Sequence, residues 1–463
     1  MTFFDLVVIG SGPGGYVSAI RASQLGLNTA IVEKDQLGGV CLNWGCIPTK
    51  ALLRSAEIKH LIDHADAYGL TVQNCQIHVD KIVKRSREVA QQLAGGIQHL
   101  LKKNKVTVFK GEAFLKNPST LEIRTSQGDL NTITAKHIII ATGAKARTLP
   151  SISLGPRVWT AKEAMVPDFL PKSLIIVGSG AIGIEFASFY STLGCKVTVI
   201  EIQSHILSQE DKEISSLALK AFEKKGIKFF LDSIVDHVET SERSVKVTIN
   251  RKDEKIPQEA DAMIIAVGVI GNTEGLGLEK TKVKVEKNQI QVNEWGETTE
   301  PGIYAIGDVA GAPWLAHKAS HQGIICVEKI ADLKDVHPMK IENIPGCIYS
   351  LPQIASIGLT ESAAKEEGYN IKIGRFPFKG NGKAIALGET DGLVKTIFDV
   401  ETGALLGAHM IGAEVTELIQ GFAIAKTLET TEAELIQTIF PHPTLSEMMH
   451  ESSLDAYGKA IHF

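Results

Sequence analysis

Apolar positions along this chain follow two rhythms. Short unbroken blocks rich in Val, Ile and Leu read as strands buried on both faces, and apolar residues three and four apart read as one side of a helix. The first block, DLVVI, runs into a glycine turn, a helix-like stretch, a Leu-Gly stop and a second block ending in Glu. The same parts recur. Residues 5–34, DLVVIGSGPGGYVSAIRASQLGLNTAIVEK, align without a gap on residues 173–202, SLIIVGSGAIGIEFASFYSTLGCKVTVIEI. A strand–turn–helix–strand unit therefore occurs twice. Two further blocks, HIIIATGA at 137–144 and AMIIAVGV at 262–269, read as buried strands that each close one copy. GIYAIGDVAG, at 302–311, reads as a strand entering a turn that carries Asp308.

From about residue 342 the glycine pattern stops. The runs GLVKTIFDV and LLGAHMIG alternate and predict an antiparallel sheet, with ELIQGFAIAKTL as a flanking helix. Residues 51–103 read as helical with an interruption at Gly95-Gly96, and KKNKVTVFK, at 102–110, as a solvated face.

Composition narrows the class. The 463 residues are 44% hydrophobic, enough for about three domains at ~150 residues each. A net charge of −5 shows no basic excess, which argues against a nucleic-acid footprint. Six cysteines are too few for a disulfide scaffold of this length. No apolar run reaches the ~18 residues of a membrane span. A strand pattern opens at residue 2 and leaves no room for a signal or transit peptide, so the expectation is a cytoplasmic protein.

The glycines carry the first chemistry. In each copy one glycine permits a tight turn, the next lets the backbone approach a pyrophosphate, and the third lets helix pack on strand. These are Gly10, Gly12 and Gly15, then Gly178, Gly180 and Gly183. The helix that comes next presents free N–H groups to phosphate. Glu33 and Glu201 end the second strands, where a carboxylate accepts from a ribose diol. One such motif is weak evidence; two in full strand–helix–strand context predict two dinucleotides, or one dinucleotide and one decoy.

The stretch GGVCLNWGCIPTK, residues 38–50, carries the second. Cys41 and Cys46 invite three readings: structural disulfide, half a metal site, or a redox pair. A zinc site needs about four ligands, and no second pair stands at ligand spacing; His60 and His64 read as solvent-facing on a helix. In a regular helix, positions five apart have Cα atoms roughly 8.6 Å apart, beyond the roughly 7 Å a disulfide tolerates. Bridging 41 to 46 thus needs non-helical backbone, which Gly45 permits. Pro48 suits a first helical turn. Cys46 then begins a helix whose dipole favours a thiolate, and Lys50 lies one turn on. These residue types fit a redox dithiol beside a nucleotide cofactor. Cys75, Cys195, Cys326 and Cys347 lack such neighbours and read as structural thiols. A third element, PHPTLSEMM at 441–449, sets His442 between two prolines with Glu447 five residues on. Histidine moves protons near neutral pH, and a carboxylate can fix its tautomer.

GGVCLNWGCIPTK, HPTLSE and the paired glycine turns together resemble the pyridine nucleotide-disulfide oxidoreductases over essentially the whole chain. Within that family the chain is most similar to the members that oxidise dihydrolipoamide. The resemblance implies an α/β fold: two Rossmann-like dinucleotide-binding domains plus a C-terminal α+β interface domain. It implies an FAD-binding part at 1–145, an NAD-binding part at 146–270, a return to the FAD-binding, central part at 271–341, and a dimerisation domain at 342–463. The implied cofactors are FAD and NAD.

On the same resemblance, FAD lies against the first turn with Glu33, Lys50, Gly111, Gly143, Asp308, Ala316 and His317. NAD lies against the second turn with Glu185 near the nicotinamide and Glu201, Val235 and Gly268 around the adenosine half. Cys41 exchanges with substrate and Cys46 faces the flavin. His442, oriented by Glu447, is the base and acts on the partner subunit's disulfide. The implied partners are a second copy of the chain and the lipoyl-bearing subunits of 2-oxo acid dehydrogenase or glycine cleavage systems. One departure stands out: Ser320-His321-Gln322 replaces the family's usual acidic cluster.

Other readings remain at this point. A reductase of glutathione, trypanothione or mercuric ion belongs to the same family. Mercuric and high-mass thioredoxin reductases usually carry a further cysteine pair near the C-terminus, and this chain ends YGKAIHF. A structural or adhesive flavoprotein is the reading from another class. An intact dithiol, Lys50 and His442 argue against it, because a scaffold needs none of them.

Overall fold

The computed structural model of the chain describes residues 2–252 and 254–463. The first repeat builds a seven-stranded sheet in the order Thr107–Lys110, Thr29–Glu33, Thr2–Ile9, Leu130–Ile140, Thr120–Arg124, Glu112–Asn117. Its inner strands run parallel, as βαβ connectivity requires. Ile303–Ala305 returns from far along the chain to pair with Ile138–Ile140. Leu6, Val7 and Val8 are fully buried, each worth about 2 kcal/mol relative to exposure. That burial on both faces explains why the strand reads as an unbroken apolar block.

The second repeat builds a five-stranded parallel sheet, Lys228–Phe230, Lys196–Ile200, Ser173–Val177, Ala262–Ile265, Val158–Trp159. A three-stranded antiparallel sheet, Ser233–Thr240, Val245–Arg251 and Glu254–Ala260, is attached to it. Ala144–Ala146 leaves the first sheet and Val269–Gly271 returns, pairing as a two-stranded ribbon between the two bodies. The C-terminal segment forms an antiparallel five-stranded sheet, Gly346–Ile348, Gln353–Gly358, Leu405–Gly412, Leu393–Asp399, Ile371–Pro377. Helices Val415–Thr427 and Glu447–Asp455 pack on it.

One expectation needs correction. The helix Val79–Lys103 runs unbroken through Gly95 and Gly96. Neither glycine has a neighbour that an added Cβ would meet, so the cost is only the roughly 1 kcal/mol each that glycine loses to alanine in a helix; packing across the rest of its length outweighs that. Strands Leu393–Asp399 and Leu405–Gly412 are antiparallel as expected, yet every residue in both is buried. Their alternating polar positions do not face water, and Lys395, Thr396, Asp399 and His409 lie inside. No described helix is long and apolar enough to cross a membrane.

Candidate active site

The site is built on the first glycine turn. Gly10, at φ +98°, comes directly after the strand Thr2–Ile9, and a Cβ there would stand 2.4 Å from the Ala141 carbonyl oxygen. Only glycine fits that turn. A Cβ on Gly15 would sit 1.9 Å from the Gly10 oxygen, so the helix Pro13–Gln24 closes tightly on the strand. Gly12 is different: a Cβ there would meet nothing within 4 Å. The backbone is open at the helix N-terminus, which is the room a pyrophosphate needs. One Glu33 oxygen accepts from the Ser11 N–H (2.8 Å) and hydroxyl (2.6 Å), and the other from the Asp35 N–H (2.9 Å). Gly111 donates its N–H to the backbone oxygen of Glu33 (2.9 Å), which places it beside that acid.

The cysteine segment sits directly on this turn. The Gly38 N–H donates to the Ser11 carbonyl (3.1 Å), and a Cβ on Gly39 would stand 2.8 Å from Gly12 Cα. Cys41 lies in a short helix, Gly39–Trp44; Gly45 breaks it at φ −150°, ψ −117°, and Cys46 opens the helix Cys46–Asp63. The break brings the two sulfurs together where a continuous helix would hold them apart. Both are free thiols here, and they are not equivalent. A hydrogen bond with the Cys41 thiol is the main force lowering the Cys46 pKa; burial opposes it and the Lys50 ammonium adds to it. The same hydrogen bond and burial push Cys41 far up. In the reduced pair Cys46 is the more readily ionised thiol and Cys41 its hydrogen-bond donor. Tyr16, on the first glycine helix, and Cys41 pack against the same buried cluster, so the dithiol and the first dinucleotide turn share one locality.

Lys50 joins three parts of the chain. Its Nζ lies 2.8 and 3.1 Å from the two Glu185 carboxylate oxygens and 4.4 Å from the centroid of the Tyr349 ring. The Tyr349 N–H donates to Glu185 Oε1 (3.0 Å). Glu185 is on the helix Ala181–Thr192 of the second glycine turn and is buried. The sequence places Lys50 and Glu185 beside different cofactors; the structure makes them one ion pair between the two dinucleotide turns.

The second turn repeats the first. Gly178 has φ +100°, and its Cβ would stand 2.3 Å from the Ala266 oxygen; a Cβ on Gly183 would sit 2.1 Å from the Gly178 oxygen, and one on Gly180 would meet nothing. Glu201 accepts from the Ser179 N–H (2.8 Å), the Ser179 hydroxyl (2.7 Å) and the Gln203 N–H (2.8 Å). The Ser233 N–H meets the backbone oxygen of Glu201 (2.9 Å), and Val235 lies two residues along that strand. Gly143 and Gly268 end equivalent strands, at φ +67° and +103°.

Asp308 sits in the turn Gly307–Ala310, and burial raises its pKa against the Lys318 ammonium. Ala316 and His317 open the helix Ala316–Ile330; His317 Nε2 pairs with the Pro345 carbonyl at 2.9 Å. The departure at 320–322 finds a role here: the Gly307 N–H donates to Gln322 Oε1 (2.9 Å), a bond a neutral amide oxygen serves as well as a carboxylate.

His442 Nδ1 lies 2.9 Å from Glu447 Oε1, and Glu447 Oε2 accepts from the Thr444 N–H (2.8 Å). Burial works against ionising Glu447, but Thr444 and His442 outweigh it and hold its carboxyl below the ordinary range. With Nδ1 so engaged, Nε2 is left to take a proton. The imidazole is 78% exposed, and no hydrogen bond or ion pair among the described residues links it to Cys41 or Cys46 of the same chain.

Three residues were missed from sequence. Tyr349, in CIYSLP, carries no local signal. Lys318 is buried and donates to the Gly307 and Gly311 carbonyls beneath Asp308. Arg87 donates to the Asn43 carbonyl (2.6 Å) and stacks 4.4 Å over Trp44, which pins the segment between the cysteines. No group of three His, Cys, Asp or Glu side chains among the described residues could hold a metal ion.

Residues 4–323 match the family described as pyridine nucleotide-disulphide oxidoreductase, and residues 344–453 match that family's dimerisation domain. The dihydrolipoyl dehydrogenase of Zymomonas mobilis is 54% identical over 462 residues, covering 99% of each chain. That of Bacillus subtilis is 46% identical over the whole of both chains, and the mitochondrial enzyme of Pisum sativum 39% identical over 99% of this chain and 92% of its own. Among solved structures, LpdA of Mycobacterium tuberculosis superposes with a TM-score of 0.90 at 28% identity, over 98% of this chain and 99% of that one. The flavoprotein disulfide reductase RclA of Escherichia coli gives 0.88 at 27%, with the same coverage.

Proposed function

We propose, for a chain that belongs to the pyridine nucleotide-disulphide oxidoreductase family, an assignment of residues to each part of its reaction. The enzyme is an NAD-dependent, FAD-containing dihydrolipoyl dehydrogenase that acts as a homodimer. The observation that carries the assignment is the asymmetry of the dithiol: Cys46 at a helix N-terminus beside Lys50, its thiolate held by Cys41.

The open backbone at Gly12 and Gly180 fits a pyrophosphate at both turns. Gly10, Gly12, Gly15, Glu33, Gly111, Gly143, Asp308, Ala316 and His317 would hold FAD, with Lys50 at the reactive end. Gly178, Gly180, Gly183, Glu185, Glu201, Val235 and Gly268 would hold NAD. Bound there, the two cofactors supply the path by which the dithiol's electron pair leaves as a hydride on the nicotinamide. The chain is divided as the sequence suggests: 1–145 and 271–341 for FAD, 146–270 for NAD, 342–463 for the dimer.

The thiol chemistry belongs to the protein. His442 Nε2 of one subunit takes a proton from dihydrolipoamide. The resulting thiolate attacks Cys41 Sγ of the partner's Cys41–Cys46 disulfide, and Cys46 leaves as the thiolate that Lys50 and the helix dipole favour. The second substrate thiol then attacks the substrate sulfur of the mixed disulfide and expels Cys41. One substrate proton ends on Cys41 and the other leaves through His442; the two electrons rest on the cysteine pair. Glu447 keeps the imidazole oriented and its Nδ1 occupied. The physiological substrate is lipoamide on the carrier subunits of 2-oxo acid dehydrogenase or glycine cleavage complexes, and the site of action is the cytoplasm.

One panel tests this reading: dihydrolipoamide with NAD⁺ against glutathione disulfide with NADPH. Turnover confined to the first pair is the expected result; turnover with the second pair alone overturns it.

A further inference from the structure

The two dinucleotide turns are alike, but the segments after their acids differ. Beyond Glu33 the chain enters the cysteine segment, which seats on its own turn. Beyond Glu201 it enters the loop 202–211, and that loop is tied at both ends. Near its middle the Leu207 N–H donates to the carbonyl of Ser179, inside the second glycine turn (3.1 Å), although Leu207 must adopt φ +49° to do so. Ile206 and Leu207 are buried, and the Ser215 hydroxyl donates to the Ile206 carbonyl (2.6 Å). At its end stands Asp211, also buried, which caps the helix Lys212–Lys224 through the Glu213 N–H (3.0 Å).

Asp211 is held by another domain. Lys395, in the strand Leu393–Asp399 of the C-terminal sheet and 1% exposed, places Nζ 2.9 Å from Asp211, 2.8 Å from Glu361 and 3.1 Å from Glu213. The second Asp211 oxygen accepts from the Glu361 N–H (3.1 Å). Arg375 of the same sheet grips Glu213 through Nε at 2.9 and 3.0 Å. A buried ammonium among three carboxylates is a poor way to gain stability, since desolvation offsets most of the attraction. It is a good way to fix register, because a charge so buried has one arrangement that satisfies it. Continuous contact thus runs from the C-terminal sheet through Lys395, Asp211 and the buried loop to Ser179.

We propose that Lys395 is a positioning residue for the second dinucleotide turn: through Asp211 the dimerisation domain sets the loop on which NAD affinity depends, with no part in the thiol chemistry. This rests on the second turn being the NAD site. Among the described residues no ion pair from the C-terminal sheet reaches the first turn, so the coupling acts on one half of the reaction only.

The test uses the full-length, FAD-loaded dimer with Lys395→Met. Binding of NAD⁺ and its KM are measured, together with flavin reduction by dihydrolipoamide in the absence of NAD⁺. The expected result is a rise of about tenfold in KM and in the dissociation constant for NAD⁺, as for a typical coupling between sites, with reduction by dihydrolipoamide within about twofold of the parent. An unchanged NAD⁺ affinity in a folded dimer overturns the proposal, and so does an equal loss in both measurements, which would mean general loosening. Should Lys395→Met not fold, Glu361→Gln is read in its place; its side chain is only part-buried. The same one-sided change, about threefold, is then expected, and no change overturns the proposal. Gly180→Val tests the underlying site separately: a side chain there projects into open space and should abolish NAD⁺ binding while the fold survives. NAD⁺ binding retained in Gly180→Val refutes the NAD assignment itself, whatever Lys395→Met does.

Discussion

The two copies of the strand–turn–helix–strand unit are near-duplicates in geometry and differ in what packs on them. In each, the first glycine lies under the carbonyl of a neighbouring strand, the second faces open space, and a buried glutamate holds the serine of the turn with one oxygen. The difference lies in the packing on the turn. The first is covered by a cysteine helix pair from its own domain. The second is held by a loop braced from the C-terminal sheet. The copies meet at Lys50 and Glu185. Two turns made alike thus have different neighbours: the cysteine pair on one and a loop braced by a buried ion cluster on the other.

Removing the thiols should break the comparison most sharply. Cys46→Ser and Cys41→Ser should each lower dihydrolipoamide oxidation below about 10⁻³ of the parent, as loss of an essential nucleophile does, while NAD⁺ binding stays intact. Cys41→Ser should leave Cys46 permanently reduced and show the long-wavelength absorbance of a thiolate beside flavin without any reductant; Cys46→Ser should lack it. Near-normal turnover by Cys41→Ser would falsify the division of roles.

Next in size is the base. His442→Gln should cost roughly 10²–10⁴-fold in lipoamide turnover, the usual range for general-base loss, with FAD retained. Mixing Cys41→Ser chains with His442→Gln chains tests whether the base acts across the dimer. Each heterodimer then has one site with both defects and one with neither, and activity should return to up to half of the parent's. Proven subunit exchange with no recovery places the base on its own chain's disulfide.

The second copy should show itself in cofactor choice. In its proposed place Glu201 would repel a 2′-phosphate, and no Lys or Arg lies between 202 and 211 to offset it. NAD should be preferred over NADP by about two orders of magnitude in kcat/KM, since like-charge juxtaposition costs several kcal/mol. Steady-state comparison of the two cofactors decides this, and equal values remove Glu201 from its role.

The smallest effect is a shift in titration. In the reduced chain, Cys41 and then Lys50 hold the Cys46 pKa down against burial. The thiolate is therefore fully formed above the ordinary thiol value of about 8.5, and it is lost only as pH falls through the lowered value. The linked stability has the same sign: present above the unfolded pKa, lost as pH falls through the folded one. The thiolate absorbance tracked downward in pH should fade below the free-thiol range, and Lys50→Met should move its midpoint up. A midpoint at or above the free-thiol value would show that the first copy does not activate its cysteine.

Much of this site is written locally, and the reason is physical. A tight turn at Gly10 or Gly178 needs positive φ, and only glycine supplies it cheaply, so the turn is visible as a residue type at a fixed spacing. The break at Gly45 is legible for a related reason, since a Cβ there would stand 3.0 Å from the Val40 carbonyl oxygen, and Cys46 starts the helix directly after it. So is the pairing of His442 with Glu447, five residues apart. Gly95 and Gly96 mark the limit of that logic: a glycine that a helix merely tolerates looks the same in sequence as one that ends it.

Only the tertiary structure decided the contacts between distant segments. Lys50 finds Glu185 across 135 positions, and Tyr349 reaches both from a third segment. Lys395 is a charged residue in a strand run with no local sign of a partner, yet it is buried against Asp211, 184 positions away. A charged residue that meets water and one that meets a distant carboxylate obey the same local pattern, because the partner that satisfies a buried charge is chosen by how whole domains pack and not by the residues beside it.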